Sequence, residues 1–501
     1  MLTRRQTHFR FRAGHTVVLL LCLCVSAQAM NWPASWSHSP SSDFQAIRDL
    51  GPVYARDLTL ETALRERALG PLWERQSLTN AMSFNALRPF WSQTEDLEHG
   101  RVLTEMLWPL GMVRDRDGDR FWRFLIAYGH DFDTTAKSRF RTVIFPLFMT
   151  GRTQAGERYT GLFPFWGDVR EVLTYDRIRF ALFPLYAEMW RKDLHSVNWL
   201  WPFFSRTESD TLKATRFFPF YGHATHQDKG SAQFVMWPIW THYATTPGGE
   251  GARGFVLWPL FGNIKHKNGF SRWVLPPFFK YARMGGETEI QAPWPFVRYR
   301  DGKKKQLYLW PIWGHKSVGP VESSFFMWPI VRNQDVTRRD TIFRRRYVLP
   351  FLYYQDEKAL ATSEHLSRYL KLWPLFSYQR EGQTARVRLL ELWPLKHTGS
   401  IERNLAPLWT LYTNTRKGDA KESELLWGLY RHRRSAEGDR YQSVFPLFNR
   451  NKVSNGDGGW SILRGLVGMR HKGLKKEMRL LYLFKIGDVD VGDALPADSG
   501  D

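Results

Sequence analysis

Apolar residues in this chain arrive in short bursts, on neither a helical nor a simple alternating period. The burst is a box of fixed order: aliphatic, aromatic, Pro, aliphatic, aromatic. It reads Ile144-Phe145-Pro146-Leu147-Phe148, then Leu162-Phe163-Pro164-Phe165-Trp166, then Leu182-Phe183-Pro184-Leu185-Tyr186. It is still present at Leu372-Trp373-Pro374-Leu375-Phe376 and Val444-Phe445-Pro446-Leu447-Phe448. The boxes recur roughly every 18–20 residues, a period that marks an array built from one repeated unit.

Between the boxes lie polar segments with turn dipeptides such as Asp117-Gly118, Asn268-Gly269, Asp301-Gly302 and Glu437-Gly438. Asp-Gly and Asn-Gly supply the positive φ angles of tight hairpins. The enrichment in Phe, Trp, Tyr, Val and Thr favours strands over helices. Each unit therefore predicts one strand of about 12–14 residues with an apolar, Pro-containing centre, closed by a turn. Antiparallel neighbours aligned Pro to Pro would place an aromatic opposite an aliphatic at every pair, worth about 0.2–1 kcal/mol each. The expected fold is all-β: an antiparallel meander of roughly twenty Pro-centred strands, closed as a barrel or spread as a large curved sheet. Two features strain that picture. Pro has no N–H for a ladder, and the unbroken apolar box implies cover on both faces, by the chain itself, lipid or a ligand.

The ends divide the chain further. Arg4, Arg5, Arg10 and Arg12, an apolar stretch over 16–25 and Ala27-Gln28-Ala29 form a secretory signal peptide over 1–29. Residues 30–70 are a lead-in, with helix formers over 59–69 and Gly70 as the stop. The repeat domain is 71–485, and 486–501 is an acidic tail. Cys22 and Cys24, the two cysteines of the chain, fall in the leader. The exported chain then has neither disulfides nor a thiol nucleophile.

Charge adds a partner class. The chain carries 71 Lys and Arg against 49 Asp and Glu, a net +22, and stays basic without its leader. A basic exported protein suits lipid phosphates, lipopolysaccharide or an anionic glycan, and export argues against nucleic acid. Basic runs at Lys303-Lys304-Lys305, Arg344-Arg345-Arg346, Arg433-Arg434 and Lys475-Lys476 are the candidate anionic contacts. Trp201, Trp237, Trp258, Trp310, Trp328, Trp373 and Trp393 are the candidate apolar band. Aromatics with nearby Lys and Arg match a headgroup interface.

Over most of residues 70–485 the boxes resemble those of Gram-negative envelope proteins with many W-P-L-F or F-P-L-Y repeats. The resemblance implies an envelope location and brings no catalytic residue.

Catalytic signals are weak. Residues 249–254 match G-x-G-x-x-G, but in a loop with no strand–helix unit around it. Asp115, Asp117 and Asp119 lack the Glu of a calcium loop. His223, His226 and His242 have no accompanying zinc motif. Glu171 and Asp176 form a carboxylate pair with no fixed separation. The expectation is a non-enzymatic protein of the outer membrane, or else of the periplasm or cell surface. It uses no metal or cofactor, and its role is structural or in lipid or solute transport. The alternative is a soluble array that binds anionic glycan or lipopolysaccharide.

Overall fold

The computed structural model describes residues 48–60, 64–77, 81–132, 139–245, 251–473 and 475–487. Residues 1–29, where a signal peptide is expected, both cysteines and nearly all of residues 486–501 lie outside them. The chain is all-β. The described residues form forty-six strands, from β1 (Arg48–Leu50) to β46 (Phe484–Ile486). Two short helices are α1 (Gly399–Asn404) and α2 (Ala406–Trp409). Strands pair antiparallel with their neighbours in sequence, as a meander. β1 is paired with β2 (Tyr54–Leu58), and β46 with β45 (Lys475–Leu480). The ladder does not close into a barrel.

The Pro boxes are not strand centres. Outside the insertion at 390–411, each is the tight turn between an odd-numbered strand and the next. β15 (Tyr175–Ala181) and β16 (Tyr186–Arg191) are joined by Leu182-Phe183-Pro184-Leu185. β17 (Leu194–Trp199) and β18 (Phe204–Glu208) are joined by Leu200-Trp201-Pro202-Phe203. Within these turns Leu185 N–H donates to the Leu182 carbonyl and Phe203 N–H to that of Leu200, both at 2.8 Å. The bonds Phe183–Pro184 and Trp201–Pro202 are cis, with Pro third of four, the arrangement of a type VI turn. Each predicted long strand is thus two strands of about five to eight residues. Pro occupies a place where no ladder donor is needed, which removes the conflict between Pro and the sheet.

A meander alternates its turns between two edges. The odd-to-even turns are the apolar boxes and share one edge. The even-to-odd turns are polar and share the other: Asp117-Gly118 joins β8 (Gly111–Arg116) to β9 (Asp119–Phe124), both residues at positive φ. The ribbon therefore has an aromatic–proline edge and a polar edge.

The strands fall into two compact units, Pro71–Thr415 and a smaller one drawn from Met1–Gly70 and Arg416–Asp501. In the larger unit, alternation gives each face a distinct composition. One face carries Gly167, Gly222, Gly262 and Gly314 in the first row inside the apolar turns. Their cross-strand partners are Phe180, Phe234, Trp273 and Phe325. A Cβ at Gly222 or Gly314 would overlap the facing ring, so the aromatic fills the space over its glycine. This is the glycine face. The opposite face carries Trp166, Trp199, Phe204, Phe217, Phe261 and Trp313 in that row and is the aromatic face.

The smaller unit joins both ends of the chain through buried charge. The helix expected over 59–69 is instead strand β3 (Leu64–Ala68), paired with β2. Alternation puts Arg65 and Arg67 on one side, against β39 (Ala420–Leu425) and β40 (Tyr430–Arg434). Arg65 contacts Asp57 at 3.2 Å and Glu422 at 3.0 Å, and Arg67 contacts Glu424 at 2.6 Å. Arg433 reaches Asp57 and Glu422, both at 2.6 Å, while Arg431 lies 3.3 Å from Asp57 and 3.6 Å from Asp49. Tyr441 donates to Asp49 at 2.9 Å. Four arginines meet four carboxylates. This tertiary pairing overrides the helix propensity of Leu-Arg-Glu-Arg-Ala.

Candidate functional site

The aromatic–proline edge is built by stacking successive turns. Leu200 N–H donates to the Leu185 carbonyl at 2.8 Å, and Trp201 N–H to the Pro184 carbonyl at 2.7 Å. The same step recurs from Met236 to Phe220 and Trp237 to Pro219, and from Met327 to Ile312 and Trp328 to Pro311. The turn backbone therefore bonds within the protein. The rings before Pro follow one another: Phe163 to Phe183 at 5.4 Å, Phe183 to Trp201 at 5.8 Å, Phe218 to Trp237 at 5.5 Å, Trp310 to Trp328 at 6.1 Å. The first turn residue often takes a left-handed conformation, as at Leu182, Leu200, Met236 and Met327. Such φ values are uncommon for side chains other than Gly.

The edge is exposed. Trp201, Trp237, Trp258 and Trp328 each keep 42–51% of their surface. Phe145, Leu147, Phe165, Leu185, Ile312 and Phe351 are exposed too. The first row of the aromatic face extends the surface through Trp166, Trp199, Phe217 and Phe261. The next row on that face is polar in places, with Thr160 opposite Asp168, Thr215 opposite His223 and Asn263 opposite Arg272, and apolar in others, with Tyr281, Ile290, Tyr299 and Leu307 in successive strands. Two residues of strand rise about 7 Å. The apolar layer is one to two such rows deep, and strands this short fall below the 9–11 residues of a spanning strand. Among the described residues no helix is long and apolar enough to cross a membrane.

The sequence candidates land unevenly. Trp201, Trp237, Trp258, Trp310, Trp328 and Trp373 all sit in the apolar turns, with Trp310 and Trp373 half-buried. Trp393 lies in the segment before α1, and its carbonyl accepts from Lys371 at 2.9 Å. The basic runs do not flank the apolar turns. Lys303, Lys304 and Lys305 are exposed at the polar edge, where β29 (Lys304–Leu309) begins. Lys475 and Lys476 open β45, also at that edge. Arg344, Arg345 and Arg346 lie mid-strand in β33 (Thr341–Val348). Arg434 ends β40 at the polar edge, but Arg433 is buried between Asp57 and Glu422 and its charge is compensated within the protein. A strand of six residues separates the edges by about 17 Å.

Alternation also separates the histidines: His223 faces one side of β20 (Tyr221–His226) and His226 the other. Among the described residues no cluster of His, Cys, Asp or Glu fits a metal ion. Asp117-Gly118 is a tight turn, and Glu171 pairs with Arg139 at 2.5 Å.

One cluster was illegible in the sequence. Between β37 (Thr384–Leu389) and β38 (Tyr412–Lys417) the apolar turn expands into an insertion carrying α1 and α2. Beneath it, Lys371 contacts Glu391 at 3.2 Å, both side chains fully buried. Lys371 also donates to the Trp393 and Leu395 carbonyls, each at 2.9 Å. His397 sits between two carboxylates, Nε2 at 2.8 Å from Glu391 and Nδ1 at 3.0 Å from Glu402. Arg388 meets Glu402 at 2.7 Å. Burial alone would lower His397, but Glu391 and Glu402 push it above its ordinary 6.5. Burial would raise Glu391 and Glu402, but His397 and its neighbouring cations hold both below 4.5.

The signs set a pH window. The carboxylates contribute stability above pH 4.5 that is lost as pH falls through their lower folded values. His397 contributes stability below pH 6.5 that is lost as pH rises through its higher folded value. The denaturation midpoint of the larger unit is expected to decline as pH rises above 6.5. In His397→Gln that decline should flatten. A slope unchanged by the substitution would show that His397 is not charged in the folded protein.

No protein-family model matches the chain, and a search of curated proteins finds no match.

Proposed function

We propose that this is a non-enzymatic envelope protein that docks on a lipid leaflet through its aromatic–proline edge, with a structural or lipid-handling role at the outer membrane. The observation that carries the reading is the edge itself: exposed Trp, Phe and Leu side chains on turns whose backbone N–H groups are already bonded within the protein. Monomeric soluble proteins rarely expose long apolar patches. A backbone satisfied internally loses little on entering an apolar medium. An apolar layer of this depth matches shallow, interfacial insertion of about 5–10 Å rather than a span. Trp and Tyr prefer that depth.

The test is sedimentation of the exported chain with phosphatidylcholine vesicles, some carrying brominated acyl chains. The protein should pellet with the vesicles, and its Trp fluorescence should be quenched by bromines near the headgroup more than by bromines near the chain end. A protein that stays in the supernatant with unquenched fluorescence has its edge covered by protein, and the reading falls.

A further inference from the structure

The two rows of the glycine face nearest the apolar turns change character along the larger unit. From β20 through β25 (Gly269–Val274) they are neutral: Gly222, Phe234, Thr241, Val256, Gly262 and Trp273, then Ala224, Ala232, Tyr243, Gly254, Ile264 and Ser271. From β26 (Phe279–Met284) through β33 the same rows become cationic. Lys280, Arg298 and Arg332 stand in the first row, and Arg300, Lys316 and Arg345 in the second. The single carboxylate in these two rows is Glu289. Lys280 meets it at 3.0 Å, Arg298 at 3.0 Å and Arg300 at 2.8 Å. Three cations on one anion leave the group positive, and Lys316, Arg332 and Arg345 have no carboxylate among their cross-strand partners. Arg332 is exposed. Burial alone would raise Glu289, but Arg300, Gln291 and Lys280 hold it at about 2, so it stays charged beside them.

The geometry points to a binding surface for the phosphate of anionic lipid headgroups on the glycine face of β26 to β33, immediately inside the aromatic–proline edge. The inference rests on the edge docking into a leaflet and adds what the leaflet must present. Charge complementarity identifies the occupant: cations with no carboxylate opposite them, with Arg332 exposed among them, fit phosphate oxygens. Height agrees, because the two rows lie one and three residues in from turns that insert shallowly, at the level of the headgroups. These residues, rather than the Lys303–Lys305 run at the far edge, carry the preference for anionic lipid.

The test compares the wild-type chain with K316Q/R332Q/R345Q, which removes cations that hold no ion pair, and with K303Q/K304Q/K305Q. Binding is measured to phosphatidylcholine vesicles with and without phosphatidylglycerol. Wild type and the polar-edge variant should prefer the anionic vesicles. K316Q/R332Q/R345Q should bind neutral vesicles as wild type does and lose most of that preference, on the order of fivefold per cation removed. If it keeps the preference, or the polar-edge variant loses it, the assignment is overturned. Soluble dihexanoyl phosphatidic acid, followed by titration, separates this surface from the edge. Binding of the soluble lipid that K316Q/R332Q/R345Q abolishes, without vesicle binding by any chain, keeps the phosphate surface and sinks the edge reading. Vesicle binding without charge preference does the reverse. Equal binding of inorganic phosphate and the short-chain lipid reassigns the surface to a free anion.

Discussion

Asp57→Ala should unfold the smaller unit, or bring it to the verge of unfolding. Asp57 is buried and shared by Arg65, Arg431 and Arg433. Its loss leaves three guanidiniums short of a partner away from water, and breaking a buried pair in this way costs about 3–5 kcal/mol. The effect should far exceed that of removing the exposed Arg206–Glu208 pair, worth about 0–1 kcal/mol. The same network sets acid sensitivity. Burial by itself would raise Glu424, but Arg67, Arg431 and Arg65 hold it down at about 2. Its stabilisation is present above its ordinary 4.5 and is lost as pH falls toward 2. Urea denaturation of wild type and Asp57→Ala, with proteolysis mapping which residues are released, checks both. An unchanged midpoint at neutral pH would show the network to be energetically idle.

The second large effect is on membrane association. Replacing Trp201, Trp237, Trp258 and Trp328 together by Ser removes four half-exposed indoles from the edge. Each contributes on the order of 1 kcal/mol when carried from water into the interface, half or less of a full apolar burial. The four together should weaken binding to neutral vesicles by roughly a thousandfold. The turn hydrogen bonds are made by backbone, so the circular dichroism spectrum should persist. Vesicle flotation read beside the spectrum separates the possibilities. Intact fold with full flotation removes the indoles from the docking surface, while collapse of the spectrum makes them structural.

The repeat, its period and the β class are legible in the sequence because the box is invariant in kind and the Gly turns are explicit. The place of the box is not. Four consecutive apolar residues look like a strand centre, and the adjoining alternation, as in Trp313-Gly314-His315-Lys316, is too short to announce a strand by itself. The incompatibility of Pro with a ladder is the available signal, and it is resolved by placing the box Pro in the turns at one edge, as at Pro184 and Pro202. The distance of Lys303–Lys305 from the aromatic band is hidden for the same reason: one strand length separates the two turn types. Arg298, Lys316, Arg332 and Arg345 are scattered in sequence and gather only when strand alternation sets them on one face. The pairing of Arg431 and Arg433 with Asp57, and of His397 with Glu391 and Glu402, depends on tertiary approach that no local pattern encodes.

The alternation of edges imposes a parity rule on this architecture. Removing one strand from the meander would carry every later apolar turn to the polar side and exchange the two faces beyond the deletion. Removing a consecutive pair would leave both intact, since each apolar turn would still stack on a turn of its own kind. The chain can therefore grow or shrink in steps of two strands, adding or losing one docking turn at a time, while odd changes are forbidden by geometry. The insertion carrying α1 and α2 fits the rule: it stands in place of a single apolar turn, and just beyond it Leu411 N–H donates to the carbonyl of Leu389, the last residue of β37, at 3.2 Å.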